Sequence, residues 1–170
     1  MSDEPDVTVL VVDDEVANLE SLERIFAREG MRVFVATGGQ KALELCRQHR
    51  VHVVLTDLMM PGMDGIALIK ALGTVSPDSE VVVMTAYGTV ESAVSAMREG
   101  AYDFVEKPLK RVQIVKAVRK AAERQALVSE NRDLKRELTQ LKHKTIVGSS
   151  SSLRRALAIA TQAAPSSANV

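Results

Sequence analysis

The chain has 170 residues, of which 46% are hydrophobic, 26% are charged and 3% are aromatic. This length suits one domain and an appendage, and so few aromatic side chains argue against a stacking platform for single-stranded nucleic acid. The formal net charge is zero, but the charges are unevenly placed. Residues 1–110 hold 10 basic and 18 acidic residues, whereas residues 111–144 hold 10 basic and 4 acidic residues. An acidic body therefore precedes a basic segment, and duplex binding by the body is disfavoured.

Cys46 is the only cysteine, which excludes an intramolecular disulfide and a cysteine-based zinc site. The N-terminal sequence is acidic and lacks the basic start of a signal peptide. No apolar run reaches the ~18 residues that a membrane span needs. We therefore expect a cytoplasmic protein without membrane contact.

Five short runs rich in valine and leucine predict buried parallel strands, because their hydrophobicity is continuous and does not alternate. They are Val7–Val12, Met31–Ala36, Val51–Thr56, Glu80–Thr85 and Ala101–Val105. Between them, apolar residues at helical spacing predict four amphipathic helices. The four stripes are Leu19, Leu22, Ile25 and Phe26; Ala42, Leu43 and Cys46; Ile66, Ile69 and Leu72; and Val90, Val94 and Met97.

The alternation of strands and helices requires right-handed crossovers, with helices on both faces of the sheet. Gly30, Gly73 and Gly100 stand where three of the helices are expected to end. Residues 1–110 are therefore predicted to form a doubly wound α/β domain.

Polar side chains follow four of the predicted strands, at the edge where ligands of open α/β sheets bind. They are Asp13, Asp14 and Glu15 after the first strand, Asp57 after the third, Thr85 after the fourth and Lys107 after the fifth. Each alone has a structural explanation as a helix cap, a turn residue or a solvated charge. Four sets on one edge favour a functional site.

Three clustered carboxylates repel one another, and a hard divalent cation such as Mg²⁺ relieves that repulsion. Aspartate can also act as a phosphoryl acceptor. Lys107 can supply positive charge to phosphoryl oxygens, and Thr85 can donate a hydroxyl hydrogen bond. Asp57 is the predicted nucleophile because it lies on a central strand between the other contributors.

Other α/β sites lack their motifs here. Asp-Asp-Glu stands in place of the Gly-x-Gly-x-x-Gly of dinucleotide sites, and neither a P-loop nor a Gly-x-Ser-x-Gly elbow occurs. His49, His52 and His143 are not at metal-ligand spacing. We interpret His49 and His52 as surface residues.

Four motifs together resemble the receiver domain of bacterial two-component response regulators, over roughly residues 5–120. They are Val11-Val12-Asp13-Asp14-Glu15, Leu55-Thr56-Asp57-Leu58-Met59-Met60-Pro61-Gly62-Met63-Asp64-Gly65, Val83-Met84-Thr85-Ala86 and Val105-Glu106-Lys107-Pro108-Leu109. The resemblance implies a flavodoxin-like sheet of five parallel strands in the order 2-1-3-4-5.

The resemblance also implies residue roles. Asp57 corresponds to the phosphoacceptor that a sensor histidine kinase phosphorylates. The implied Mg²⁺ ligands are Asp13, Asp14, Asp57 and the backbone carbonyl of Met59. Thr85 and Lys107 correspond to the switch hydroxyl and the phosphate-binding lysine.

Two positions near the last strand add detail to the resemblance. Phe104 stands where many receivers carry the switch tyrosine, and without a hydroxyl its switching should be a packing change. Lys107–Pro108 is a candidate cis peptide bond, because family members hold this bond in cis.

From about Pro108, which suits a first helical turn, the pattern becomes that of one long helix without glycine until Gly148. The helix carries a heptad seam of Leu127, Asn131, Leu134, Leu138 and Leu141. Glutamates at g and lysines at e match across a parallel pair, so we expect a parallel homodimer. Arg124 and Lys120 fall at a and d just upstream and weaken the seam there. A nucleic-acid-binding helix is the alternative, disfavoured because its charges are spread around the other faces.

The segment from Thr145 to Val170 resembles the opening of the ATPase domain of NtrC-type sigma-54-dependent activators. The resemblance implies a receiver at 1–120, a last helix extended into a coiled-coil linker at 108–144, and a truncated ATPase at 145–170. It also implies ATPase and DNA-binding domains in the full-length protein, which act on sigma-54 RNA polymerase. The chain itself should then be a regulatory phosphoacceptor without ATPase activity or direct nucleic-acid binding.

Two other functions remain open at this point. A stand-alone phosphorelay intermediate would pass its phosphoryl group on, but the long linker and the tail argue against it. A magnesium-dependent phosphohydrolase would need a second acid two residues after its nucleophile, where Met59 stands.

Overall fold

The computed structural model describes residues 6–86 and 90–163, with side chains to residue 143. Strands and helices alternate along this part of the chain. They are β1 (Thr8–Val12), α1 (Val16–Arg28), β2 (Arg32–Ala36), α2 (Gly39–Gln48), β3 (Val53–Asp57), α3 (Gly65–Val75), β4 (Glu80–Thr85), α4 (Val90–Arg98), β5 (Asp103–Glu106) and α5 (Arg111–Ala163).

The five strands form one parallel sheet in the order β2-β1-β3-β4-β5. The predicted doubly wound fold and its strand order are confirmed. In the register of the sheet, Asp57 pairs with Met84, and Thr85 pairs with Glu106. The carboxyl ends of β3, β4 and β5 therefore meet at one edge.

Apolar layers cover both faces of the sheet. Along β1, Leu10 and Val12 belong to the layer that α2, α3 and α4 complete, whereas Val9 and Val11 belong to the layer that α1 and α5 complete. All five β1 residues are buried. This burial on both faces explains the continuous hydrophobicity of the strand and supplies the main driving force for folding.

Two of the three glycines end a helix as predicted. Gly30 and Gly100 have φ of 79° and 116°, a backbone conformation that favours glycine, and each follows the last turn of its helix. The prediction for Gly73 is wrong, because α3 continues through it to Val75. Gly73 is exposed within the helix, where glycine is tolerated at a modest cost.

The fourth apolar stripe predicts the helix correctly but faces solvent and not the core. Val90 is 65% exposed, and Val94 and Met97 are also exposed, whereas Ala93 and Ala96 are buried. The exposed stripe and the buried alanines both repeat at helical spacing. Periodicity therefore predicts the helix but does not select its buried face. Contact through alanines lets α4 lie close to the sheet.

The last helix begins at Arg111, so the prediction that Pro108 lies in its first turn is wrong. The Lys110 carbonyl accepts hydrogen bonds from the N–H groups of Gln113 and Ile114, which makes Lys110 the N-cap residue of the helix. The Lys107–Pro108 peptide bond is cis, the isomer that the resemblance implies.

The first part of α5 packs on the sheet through a stripe of small and branched residues. The buried members are Ile114, Ala117, Val118, Ala121 and Ala122. At its start, Arg111 and Arg119 bind the two carboxylate oxygens of Glu29, at 2.6 and 2.8 Å. These ion pairs link α5 to the end of α1.

Arg124 binds the body of the domain, which the heptad pattern does not predict. Its guanidinium lies 2.9 Å from the Glu80 carboxylate and 5.2 Å from the centre of the Tyr102 ring. Arg124 is therefore held by the strands and does not stand as a free cation at the start of the seam.

The chain divides into two compact units, Met1–Val128 and Ser129–Val170. The described part of the second unit is helical to Ala163, so the helix passes Gly148 and the serine run without a break. The predicted ATPase segment from residue 145 lies beyond the described side chains, and its domain boundary stays a prediction. Over the part of the chain that the structure describes, no helix is long and apolar enough to cross a bilayer.

Candidate functional site

The predicted polar residues meet at the carboxyl edge of the sheet. Asp13 directly follows β1, Asp57 is the last residue of β3, Thr85 is the last of β4 and Lys107 follows β5. The Asp13 side chain is fully buried, Asp57 and Thr85 are buried, and Asp14 is exposed. The sheet register thus brings residues up to 94 positions apart into one small site.

Three carboxylates and one ammonium group form the centre of the site. Asp13, Asp14 and Asp57 each offer an oxygen, and these oxygens lie within 4.8 Å of one another. The Lys107 ammonium lies 2.8 Å from Asp57 Oδ2 and 3.9 Å from Asp13 Oδ2. Lys107 is held in place by its own N–H group, which donates to the Thr85 carbonyl at 2.8 Å.

The Asp57 carboxylate is held on both oxygens. Oδ2 accepts a hydrogen bond from Lys107, and Oδ1 accepts one from the Met59 N–H group at 3.2 Å. The chain then turns back, and the Gly65 N–H group donates to the Leu58 carbonyl at 2.9 Å. A Cβ atom at Gly65 would lie 2.7 Å from the Asp57 carbonyl oxygen, so this close approach requires glycine.

Asp13 is held by the first turn of α1. Its Oδ1 accepts from the Glu15 N–H group at 2.9 Å, and its Oδ2 accepts from Asn18 Nδ2 at 3.1 Å. Burial raises the pKa of the Asp13 carboxyl above its usual range, although these hydrogen bonds and the Lys107 charge act in the opposite direction. A cation beside Asp13 would therefore stabilise its ionised form.

The Lys107 ammonium is stabilised in its charged form. Burial is the largest single influence on its pKa and lowers it, but the hydrogen bond to Asp57 and the charges of Asp57, Asp13 and Glu15 together outweigh burial. The net result is a raised pKa. Lys107 therefore stays protonated at neutral pH and can supply a point charge to an oxyanion.

The structure also locates the remaining predicted site residues. The Met59 side chain is 76% exposed, and its backbone lies beside Asp57. Phe104 lies on β5 and is 40% exposed. Four seam leucines of α5 are each more than half exposed, and Asn131 is exposed as well; the leucines are Leu127, Leu134, Leu138 and Leu141.

Three polar residues, Asn18, His52 and Asp14, differ from the sequence interpretation. Asn18 was not among the predicted site residues, and its position one turn after the acidic pair was the available signal. His52 is not a simple surface residue, because it is half-buried and its Nδ1 accepts the Thr8 N–H group at 2.9 Å. His49 is exposed and stacks on Phe34. The capping alternative for Asp14 is also wrong, since Glu15 holds the N-cap position of α1.

The donor set matches a hard divalent cation. All three clustered side chains offer carboxylate oxygens, which are the ligands that Mg²⁺ and Ca²⁺ prefer. Three carboxylates face Lys107 at the centre of the site, so the cluster retains negative charge that a cation could neutralise. The arrangement combines an anionic metal site, a carboxylate held for attack and a protonated lysine beside it.

A parallel five-stranded sheet with this acidic edge defines a signalling receiver domain, and comparison with known proteins agrees. The family described as the response regulator receiver domain matches residues 9–119. The chain belongs to this family.

Its relatives are longer regulatory proteins. The chain is 33% identical over 129 residues to the C4-dicarboxylate transport transcriptional regulatory protein DctD of Rhizobium meliloti, covering 76% of this chain and 28% of DctD. It is 41% identical over 103 residues to the transcriptional regulatory protein ZraR of Klebsiella oxytoca, covering 61% of this chain and 23% of ZraR. The chain therefore spans about a quarter of the length of these relatives.

Solved structures give the same result. NtrX from Brucella abortus, crystallised in complex with ATP, superposes with a TM-score of 0.72 at 34% identity. The match covers 76% of this chain and 30% of NtrX. The similarity in structure thus extends over the receiver domain.

Proposed function

We propose that this chain is the phosphorylation-controlled receiver of a transcriptional regulator, and that Asp57 accepts a phosphoryl group from a sensor histidine kinase. The convergence of Asp13, Asp14 and Asp57 within 4.8 Å, with Lys107 at 2.8 Å from Asp57, carries the proposal. Membership of the receiver family supports it. The kinase partner makes the cytoplasm the expected compartment.

In the proposed reaction, an Asp57 oxygen attacks the phosphorus of a phosphohistidine. The new P–O bond forms as the P–N bond breaks, and the imidazole leaves with the electron pair. Lys107 is already hydrogen-bonded to Asp57, so a short movement brings its ammonium to a phosphoryl oxygen. Thr85, at the end of the neighbouring strand, supplies a hydroxyl donor to another oxygen.

Asp13, Asp14, Asp57 and the Met59 carbonyl would hold Mg²⁺ in this proposal. When bound, the ion supplies positive charge that neutralises the carboxylates and the incoming phosphoryl oxygens. Its neutralising charge removes the repulsion between Asp57 and an anionic donor.

Apolar side chains beside the site support docking of a protein donor. Val16 at the start of α1 and Val112 at the start of α5 are both largely exposed. Between these helices, a cleft is lined by Ile25, Pro108 and Leu109 among others. Isolated apolar residues are common on surfaces, but a group that flanks a charged site is typical of an interaction surface.

The linker is proposed to form a parallel coiled-coil homodimer. Exposure of the seam leucines in the single chain supports this, because burying them against a second copy would remove apolar surface from water. The transcriptional relatives support a full-length protein with further domains, here proposed as a sigma-54-dependent ATPase and a DNA-binding domain.

Acyl phosphate formation tests the proposal directly. The chain is incubated with Mg²⁺ and a small phosphodonor such as acetyl phosphate, and intact-mass measurement detects one added phosphoryl group. Asp57→Asn should abolish the added mass. Asp64→Asn is the matched control, since Asp64 caps α3 through the Ala67 N–H group, and asparagine caps helices equally well. Labelling of Asp57→Asn at the wild-type level would show that another residue is the acceptor.

A further inference from the structure

Asn18 makes contacts that no role above explains. It lies in the first turn of α1 and is half-buried, next to the acidic cluster. Its side-chain nitrogen Nδ2 is 3.1 Å from Asp13 Oδ2 and 3.3 Å from Glu15 Oε2. One amide group therefore donates to two carboxylates, which its two hydrogens allow.

The two donors to Asp13 fix the plane of its carboxylate. The Glu15 N–H group holds Oδ1, and Asn18 holds Oδ2. Because the backbone at Glu15 belongs to the start of α1, Asn18 is the side chain that completes this two-point attachment. Without Asn18, the carboxylate keeps one short hydrogen bond and the more distant Lys107, 3.9 Å away, and it can rotate about its Cβ–Cγ bond.

A neutral donor is the appropriate partner at this place. Lys107 already supplies one positive charge to the cluster, 2.8 Å from Asp57 and 3.9 Å from Asp13. A second cationic side chain would also bind Asp13 and Glu15, but it would repel a divalent cation held by the same carboxylates. An amide orients the carboxylate and leaves the negative charge of the site unchanged.

We infer that Asn18 is a positioning residue, which orients Asp13 for Mg²⁺ and thereby favours Mg²⁺ over Ca²⁺ at the receiver site. The inference rests on the proposed function, since it assigns a role within the same metal site. Mg²⁺ demands near-ideal octahedral geometry, whereas Ca²⁺ accepts variable geometry and more ligands. A fixed Asp13 carboxylate therefore benefits Mg²⁺ more than Ca²⁺.

The test compares the affinities of the two cations by calorimetry at pH 8. In Asn18→Leu, a variant of similar size without a donor, the Mg²⁺ dissociation constant should rise roughly tenfold, the lower end of what loss of an outer-shell partner costs. The Ca²⁺ dissociation constant should change by less than about threefold, because its coordination adapts. The amide resonance of Glu15, which donates to the same carboxylate, should shift in the metal-free variant.

Two further variants calibrate the result. Asn18→Lys retains a donor but adds charge, so it should weaken Mg²⁺ and Ca²⁺ by similar factors. Ser21→Ala alters an exposed residue of α1 that lines the same cleft as Asn18, and it should leave both affinities unchanged. Melting temperatures of all variants establish that the domain remains folded.

The outcomes separate the inference from the function on which it rests. The positioning role is wrong, and the metal site stands, if wild type and Asn18→Leu bind Mg²⁺ equally well. The same conclusion holds if Asn18→Leu weakens Mg²⁺ and Ca²⁺ binding by equal factors, as Asn18→Lys is expected to do. If the wild-type chain binds no Mg²⁺, the proposed metal site is wrong and the inference fails with it.

Discussion

Single residues in the turn after β3 determine the geometry around Asp57. Gly65 leaves space for the Asp57 carbonyl and the Leu58 backbone, and Asp64 caps the helix that follows. The end of β3 and the start of α3 thus approach each other more closely than a side chain at Gly65 would allow. Gly73, in the same helix, faces open space.

Gly65→Ala and Gly73→Ala should have opposite effects on stability. The first adds a Cβ at 2.7 Å from backbone atoms that cannot move independently, so it should cost about 1–3 kcal/mol of unfolding free energy. The second should stabilise the protein by about 0.5–1 kcal/mol, since alanine is the better helix former. Urea unfolding of both variants gives the comparison. A stable Gly65→Ala protein with normal Asp57 labelling would contradict the close-approach argument.

His52 connects stability to pH. Burial lowers the pKa of the imidazole, and the nearby Arg50 lowers it further. Its Nδ1 must be unprotonated to accept the Thr8 N–H group. The unfolded chain therefore binds a proton more readily than the native protein, so the contribution of His52 is complete above about pH 6.5 and declines as the pH falls towards the lower native pKa.

Replacing His52 with asparagine should remove that pH dependence. The Asn side-chain oxygen can take the place of Nδ1 as acceptor and does not titrate. Between pH 7.5 and pH 5.5, wild type should lose about 1 kcal/mol more unfolding free energy than His52→Asn, the value of one hydrogen bond. Urea unfolding at the two pH values measures the difference, and parallel pH profiles for the two proteins would argue against this role.

At the scale of elements, α5 combines two kinds of surface. Its first part is committed to the receiver, through the buried stripe, the Glu29 ion pairs and the Arg124 contacts with Glu80 and Tyr102. The seam that begins at Leu127 is exposed. Arg124 therefore supports the receiver, and we expect the coiled coil to begin after it.

Replacing Asn131 with leucine tests the heptad assignment. A polar residue at one a position lowers the stability of a coiled coil but selects its register and a two-stranded assembly. Asn131→Leu should therefore melt at a higher temperature and populate species larger than a dimer. Multi-angle light scattering and thermal melts give both values. Arg132→Leu is the control, because its heptad position b lies outside the seam. If Asn131→Leu yields only dimers without a gain in melting temperature, the predicted seam is wrong.

At the scale of the whole molecule, an acidic receiver precedes a basic helix. In the activator family that the tail resembles, a well-formed coiled coil accompanies dimers that hold their ATPase domains apart until phosphorylation. The seam from Leu127 to Leu141, with matched glutamate and lysine pairs, has this character. We therefore predict negative control, in which phosphorylation of Asp57 releases the ATPase.

Deletion of the receiver tests the sign of control in the full-length protein. A variant without residues 1–144 should assemble and hydrolyse ATP without phosphorylation, because the restraining dimer is lost. Full-length Asp57→Asn is the comparison and should stay inactive. ATPase rates and sedimentation report both properties, and an inactive deletion variant together with an active phosphorylated intact protein would establish positive control.

The sequence by itself determined the order of elements, the sheet and the identity of the clustered residues. The central strands β1, β3 and β4 carry continuous apolar runs, since both faces of the sheet are buried there, and Asp13, Asp57 and Thr85 end or directly follow these runs. Local pattern was sufficient for the elements because these depend on neighbours in the chain, and the resemblance to receiver domains supplied the strand order.

The tertiary structure decided what depends on distant neighbours. Periodicity could not choose between the alanine face and the valine face of α4, because both repeat every helical turn and only the sheet selects one. The heptad pattern could not reveal that Arg124 binds Glu80. The spacing of the histidines could not reveal that His52 accepts a hydrogen bond from the Thr8 N–H group. Each contact joins residues 44 positions apart. Pairing of β1 with β3 brings His52 to Thr8, and packing of α5 on the sheet brings Arg124 to Glu80.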